Sequence, residues 1–378
     1  MSLDSYHMPQ AIELALRCEV YVEPNPMFGC VIAHDADVVG IGWHRRYGGP
    51  HAEIEALAIA GDKARGATMY VTLEPCCHQG KTPPCTQAII AAGVGRIVVA
   101  VGDPFPEVQG GGRRELRKAG IEIGDAVCID EARDILAPYL MLVEKQRPWV
   151  IGKWAMTLDG KIATHTGDSK WISSPASRSI VHRLRGRVDA ILVGRGTAVA
   201  DDPSLTARPE DADVSDEELR NWPPRVATRI VLDSQAQLPL ESQLVQTAGE
   251  RPVLVAATAD APAAAIKKLQ AQGVEVWQSS AGAGGEEFVQ QLLEELGRRR
   301  MTNVLVEGGG EVLGTLRDAD LIDEAHVFVG PQILGGGEAT AAIAGRGEGK
   351  IAGAPRIDAP KWQQVGPADF YVHGRIVR

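Results

Sequence analysis

At 378 residues the chain is long enough for two or three domains, and with 44% hydrophobic and 23% charged residues each half can bury its own core, which excludes general disorder and a disulfide-stapled miniprotein. Thirty-nine basic against 49 acidic residues give a net charge of −10, split evenly about position 147, so neither half carries the basic excess of a domain that neutralises nucleic-acid phosphates. No window reaches the roughly 18 apolar residues that span a bilayer, and Asp4 and Glu13 stand where a secretion signal would be basic and then apolar, so a cytoplasmic protein with neither nucleic-acid nor membrane partners is expected.

Residues 7–20 carry apolar side chains at helical spacing, and 28–33 with 37–43 read as a two-stranded hairpin. A helix follows from about His51 to Ile59, with Ile54, Leu57 and Ala58 on one face. Next come a strand at 67–73, a loop rich in Cys, Pro and Gly, a helix near Cys85–Ala92, and a strand at 96–101. This alternation predicts an α/β sandwich around one sheet. A closing helix at 130–146 is broken by Arg147-Pro148, because a residue before proline is driven out of the helical region. Two domains are therefore expected, 1–147 and 148–378. The second half shows strands at 149–156, 189–194, 228–233, 252–257, 274–277, 303–310 and 324–330, separated by helical stretches, and is read as a second α/β domain. Residues 209–224 read as an acidic, Pro-bounded excursion, and 281–285 (AGAGG) as a flexible turn.

Six cysteines are too few for a disulfide framework, and Cys76, Cys77 and Cys85 fall within ten positions, which points to metal chemistry. Cys18, Cys30 and Cys128 lie in apolar strings and are expected in the core. Thiolate and imidazole are the ligands Zn²⁺ prefers, and three protein ligands leave its fourth tetrahedral position to water. His51, Cys76 and Cys85 are that set, the first and last at helix N-termini, where the macrodipole favours a thiolate. H-x-E followed by P-C and a later Cys is the signature of zinc nucleobase deaminases, in which the Glu moves protons and does not ligate; here it is Glu53. Side chains two apart diverge around a helix, so His51 and Glu53 converge only if the helix starts at His51. Cys77 is read as a loop residue. A non-catalytic zinc-stabilised module would need a fourth ligand, for which His44 and His78 are the nearby candidates.

In the second half, Arg178, Arg183, Arg185 and Arg187 form a cationic run, with Arg208 arriving from a loop, suited to bidentate phosphate binding. Glu307-Gly308-Gly309-Gly310 follows a strand and precedes a helix, so its backbone N–H groups can approach a pyrophosphate. Gly194-Arg195-Gly196-Thr197 lacks the third glycine of a Rossmann fingerprint, and Asp201-Asp202-Pro203 follows where the helix should continue.

Most zinc deaminases separate their cysteines by two residues, whereas eight residues separate Cys76 from Cys85 in TLEPCCHQGKTPPC. That loop, with NPMFGCVI (25–32) and GWH (42–44) upstream, and with KWAMTLDGK (153–161), SKWIS (169–173), ADDPSLTAR (200–208) and VEGGG (306–310) downstream, resembles the bifunctional deaminase-reductases of bacterial riboflavin biosynthesis over almost the whole chain. A nucleoside or tRNA deaminase joined to an unrelated reductase is the alternative, disfavoured by the cysteine spacing and the missing basic surface. Cys77 departs from the family, which more often has Ser there.

The resemblance implies a cytidine-deaminase-like α/β/α sandwich followed by a dihydrofolate-reductase-like α/β domain, with Zn²⁺ and NADPH as cofactors. It also implies a small phosphorylated pyrimidine as substrate, deaminated first and then reduced from ribosyl to ribityl. Asn25, His44, His78 and Lys81 match contacts to the pyrimidine and its phosphate. Met156, Trp171, Thr197, Asp201 and Ser234 match nicotinamide-cofactor contacts, joined by Gly308, Gly309 and Gly310. Lys153, Ser169, Arg185, Leu205, Arg208 and Glu307 match substrate contacts. Reduction at the ribosyl C1 needs protonated imine character, so Lys153 and Asp201 are the expected organisers of charge and proton delivery. A homo-oligomer is compatible with all of this.

Overall fold

The computed structural model describes residues 2–17, 22–79, 83–208, 225–280 and 284–378. Cys18, Lys81, the 209–224 excursion and the first three residues of the AGAGG turn lie outside them. The chain forms two compact units, Met1–Gln146 and Arg147–Arg378.

In the first unit the leading helix begins before the apolar pattern does, as α1 (Leu3–Leu16), because the Ser2 side chain accepts the Ser5 N–H and caps it. The chain continues through β1 (Gly29–His34), β2 (Asp37–Trp43), α2 (Ala52–Ala60), β3 (Thr68–Leu73), α3 (Cys85–Ala92) and β4 (Arg96–Val101). Among the described residues, the elements that escape the sequence reading include α4 (Gly111–Lys118), whose GGRRELRK buries only Gly112 and Leu116, and the two-residue β5 (Glu122–Ile123). The unit closes with α5 (Ile129–Lys145). Its sheet runs β2-β1-β3-β4-β5, antiparallel about β1 and parallel from β3 onward. α1 and α5 cover one face, and α2 and α3 the other. β1 and β3 are buried nearly throughout, which explains their continuous apolar runs. α2 lies almost against the backbone of β2, since a Cβ on Gly42 would fall 2.1 Å from the Ala52 carbonyl oxygen. That glycine brings His51 and Glu53 down to the sheet.

The second unit contains β6 (Trp149–Met156), β7 (Lys161–Ala163), α6 (Pro175–Arg187), β8 (Ala190–Gly194), α7 (Arg195–Asp201), β9 (Thr228–Leu232), α8 (Gln243–Gln246), β10 (Val253–Ala257) and α9 (Ala263–Gln270). After them come β11 (Glu275–Gln278), α10 (Gly285–Arg298), β12 (Asn303–Val306), α11 (Gly310–Asp318) and β13 (Glu324–Val329). Short β14 (Thr340–Ala341) and β15 (Arg356–Ile357), then β16 (Lys361–Val365) and β17 (Asp369–Val377), complete it. The main sheet has the order β11-β10-β9-β8-β12-β6-β13-β17-β15, with β16 beside β17. From β11 to β13 every pairing is parallel, and β17 then runs antiparallel. α10 and α11 pack Leu292, Leu296 and Leu313 on one face, over Val150, Leu192 and Ile230. α6 packs Ile180 and Val181 on the other, against Phe328 and Tyr371. Both halves are α/β, as expected. Among the described residues no helix is long and apolar enough to cross a membrane.

Candidate active sites

In the first unit, His51 is the N-cap of α2 and Cys85 the first residue of α3. Cys76 leaves β3 three residues after its end and accepts the Cys85 N–H at 3.4 Å. His51 Nδ1 lies 3.6 Å from Cys76 Sγ and 3.3 Å from Cys85 Sγ, and the three donor atoms fall within 4.8 Å of one another. Hydrogen bonding between the two thiols pulls Cys76 down to about 4 and drives Cys85 upward. Glu53, one helical step inside, is 3% exposed, and its Oε2 has no partner. Burial pushes its carboxyl above the usual range, against the pull of His51. One nitrogen and two sulfurs, converging beside an unsatisfied carboxylate oxygen, fit a zinc ion with room for water.

His44 is fully buried, so it backs the site and does not line it. Its Nδ1 lies 2.8 Å from the Pro50 carbonyl and so carries the proton, leaving Nε2 to accept from Asn25 Nδ2 at 3.2 Å. Both nitrogens are thereby committed, which removes His44 as a fourth ligand. Burial lowers its pKa and favours this neutral form. Phe28, within the NPMFGC stretch but not singled out from sequence, stacks on His44 at 5.1 Å and meets His51 edge-on at 5.0 Å. His78 sits 3.8 Å from Glu107 and near Phe105, apart from the three metal donors. Cys77 turns toward the Glu107 carbonyl at 3.7 Å, again away from them. Glu74 is a second residue that the sequence reading passes over: its carboxylate accepts the Gly110 and Arg113 N–H groups at the start of α4, anchoring the loop that carries Cys76. Cys30 is buried as expected, whereas Cys128 caps α5 half-buried with φ of 52°.

In the second unit the strand order matters most. The chain leaves β8 toward β9 on one side and leaves β12 toward β13 on the other, so the crevice at the carboxyl ends of β8 and β12 is a topological switch point, where open α/β sheets bind ligands. Gly194–Thr197 opens from β8 and Glu307–Gly310 from β12. The two turns touch: a Cβ on Gly309, which has φ of 58°, would stand 3.2 Å from Thr197 Oγ1. Gly308 and Gly310 have different reasons to be glycine, since Cβ atoms there would lie 2.5 Å from Val193 Cα and 2.6 Å from the Ala341 carbonyl oxygen. A crevice floored by bare backbone suits a dinucleotide.

The parallel register puts Glu307 and Lys153 side by side, one residue beyond the Val306–Gly152 pair. Burial lowers the Lys153 pKa, with Glu307 and Asp201 opposing the shift and Arg185 reinforcing it. Arg185 donates to both Glu307 oxygens, at 2.6 and 2.8 Å, and to the Thr206 carbonyl at 3.2 Å. The arginines of α6 therefore do not form one phosphate patch. Arg178 covers the exposed Trp171 ring at 4.3 Å and donates to the Ser173 carbonyl, and Arg185 faces inward. Asp201 pairs with Lys170 at 3.5 Å, a contact linking the 164–174 loop to α7. Leu205 is buried with φ of 49°, Ser169 is half-buried, and Arg208 is exposed. Met156 ends β6, and exposed Ser234 lies just past β9, its carbonyl accepting from Thr258.

Residues 1–101 match the cytidine and deoxycytidylate deaminase zinc-binding region, and 148–368 match the RibD C-terminal domain. The chain is 39% identical to the riboflavin biosynthesis protein RibD of Aquifex aeolicus, over 89% of both chains. It is 38% identical to that of Escherichia coli, over 98% of both. A solved structure of Acinetobacter baumannii RibD superposes with a TM-score of 0.84 at 34% identity, covering 100% of this chain and 99% of that one. With the zinc-type donor set in one unit and a switch-point crevice in the other, the chain belongs to the RibD family of bifunctional deaminase-reductases of riboflavin biosynthesis.

Proposed function

We propose that the chain hydrolyses the 2-amino group from 2,5-diamino-6-ribosylamino-pyrimidinone 5′-phosphate and then reduces the ribosyl group with NADPH, giving 5-amino-6-ribitylaminouracil 5′-phosphate. The observation that carries the first step is the convergence of His51, Cys76 and Cys85 beside a buried carboxylate oxygen without a partner. His51, Cys76 and Cys85 would hold zinc, which supplies the Lewis acidity that readies water for attack near neutral pH. Glu53 takes a proton from the attacking water and delivers it to the departing ammonia. His44 holds Asn25 in place, and Asn25, His78 and Lys81 meet the pyrimidine and its phosphate. Residues 1–147 carry this step.

Residues 148–378 carry the reduction. Thr197, Asp201, Met156, Trp171, Ser234 and the Gly308–Gly310 backbone would hold NADPH across the crevice, which supplies the hydride. Ser169, Arg185, Leu205, Arg208 and Glu307 frame the ribose phosphate, and Lys153 with Asp201 delivers the proton at the reacting end. Zinc-loaded protein incubated with the diaminopyrimidinone phosphate should release ammonia with or without NADPH, and should oxidise NADPH only after deamination. NADPH oxidation without prior ammonia release would overturn the order of steps.

A further inference from the structure

Glu324 and His326 of β13 and His373 of β17 offer one carboxylate oxygen and two ring nitrogens that all lie within 4.8 Å of one another. The sheet puts them there. Residues two apart share a face of a strand, and the antiparallel register sets His326 directly opposite His373. They share the face of Phe328 and Tyr371, the one that α6 covers. His326 is 3% exposed, while Glu324 and His373 are half-buried. The cluster stands apart from the chemistry assigned above: Lys153 pairs with His326 from β6, but the charges that act on it are those of Glu307, Arg185 and Asp201.

Two of the three side chains already have an outer partner. His326 Nε2 lies 2.8 Å from Glu324 Oε1, and its Nδ1 lies 2.5 Å from the Tyr371 hydroxyl. The other Glu324 oxygen, Oε2, accepts from Trp149 Nε1 at 2.9 Å. A ligating histidine or carboxylate is ordinarily oriented by such a second hydrogen bond. Tyr371 and Trp149 thus hold the outward atoms and leave Nε2 and Oε1 facing each other, with the His373 ring stacked on His326 at 5.2 Å. We propose that Glu324, His326 and His373 form a second metal site, confined to the reductase unit, for a nitrogen-preferring divalent ion of the Zn²⁺ class. Two imidazoles and a carboxylate are a set that zinc uses with water in the fourth position, whereas Mg²⁺ and Ca²⁺ take oxygen. With the ion on Nε2, the ring proton of His326 sits on Nδ1 and is donated to the Tyr371 oxygen. His373 turns about its Cβ–Cγ bond, a soft torsion, to aim a nitrogen at the ion. The ion then ties β17 to β13. Arg183 and Arg187 of α6 bring positive charge near Tyr371, so this ion is held more weakly than one on the two thiols of the first unit, and it is lost on desalting and regained from added metal.

Titrating the metal-free, full-length protein with Co²⁺ tests this, because thiolate ligands add an intense near-ultraviolet charge-transfer band and an imidazole-carboxylate site does not. The first ion should bring that band, and a second should follow with visible absorption alone, to about two ions per chain. His373→Gln and Glu324→Gln should each stop the titration at about one ion and leave the band intact. A Cys76→Ser, Cys85→Ser protein should lose the band and keep the weaker ion. Tyr371→Phe, which removes the outer partner of His326, should weaken that ion about 10- to 100-fold. Added Zn²⁺ should raise the thermal midpoint of wild type more than that of His373→Gln, since an ion bound only by the folded state stabilises it by mass action. Saturation of wild type at about one ion per chain would overturn the proposal. A second ion bound as tightly by His373→Gln as by wild type would overturn it too, as an adventitious ion only. Should Glu324→Gln not fold, His373→Gln, at a half-buried position, decides the question.

Discussion

Replacing Glu53 with Gln isolates the proton shuttle from the metal site. The substitution keeps the size and shape of a side chain that is 3% exposed, and it exchanges a buried carboxylate for a neutral amide, so the fold loses no packing. None of the three donor atoms is replaced, and zinc should remain at about one ion per chain. What disappears is the group that moves the proton. General acid-base catalysis is worth roughly 10²- to 10⁴-fold, so deamination should fall by at least 10²-fold, about 2.7 kcal/mol of barrier at 1.36 kcal/mol per tenfold. The assay pairs metal analysis of the purified variant with ammonia release from the diaminopyrimidinone phosphate. Reduction of the deaminated intermediate should be unchanged, as an internal control. Loss of zinc, or deamination within tenfold of wild type, would refute the assignment of Glu53 as shuttle.

Replacing His51, Cys76 or Cys85 should remove zinc and deamination together while NADPH oxidation with the intermediate persists; Cys77→Ser should keep its zinc, and a metal-free Cys77→Ser protein would mean that the wrong cysteine had been chosen. Arg208→Ala should raise KM for the phosphorylated substrate about 10- to 100-fold, the equivalent of roughly 1.5 to 3 kcal/mol for a charged hydrogen bond, with KM for NADPH unchanged; steady-state kinetics with each substrate varied checks this. Residues 1–147 alone should bind zinc and deaminate, and residues 148–378 alone should reduce the intermediate; a folded second fragment that works only when the first is added back would show the sites to be interdependent. Lys153→Met should abolish reduction yet stabilise the fold near neutral pH. Burial holds the Lys153 pKa below its unfolded value of 10.5, so its destabilising effect is complete below the folded pKa and fades as pH rises toward the unfolded one. Urea midpoints compared along that range should converge, and a constant gap would contradict it.

The zinc site was legible in the chain because its determinants are local. Prolines 50 and 84 stand just ahead of the helices that carry His51 and Cys85, the apolar run of β3 delivers Cys76, and helix starts and buried strands are the features periodicity reads best. Elements without an apolar signature were lost. α4 has a single large apolar residue facing the core, and β16, with four of five residues exposed, looks like loop until β17 pairs with it. The nicotinamide crevice depends on strand order, and no local pattern says that β12 returns from the far edge to lie between β8 and β6. The same return brings Glu307 to Arg185 and Lys153, pairing an arginine that by sequence resembles a phosphate ligand with a carboxylate 122 positions away. Residue type and spacing determine which chemistry a segment can perform. Which distant partner satisfies a buried charge is decided only when the sheet is assembled, because an unpaired charge there is too costly to leave and whichever group arrives must answer it.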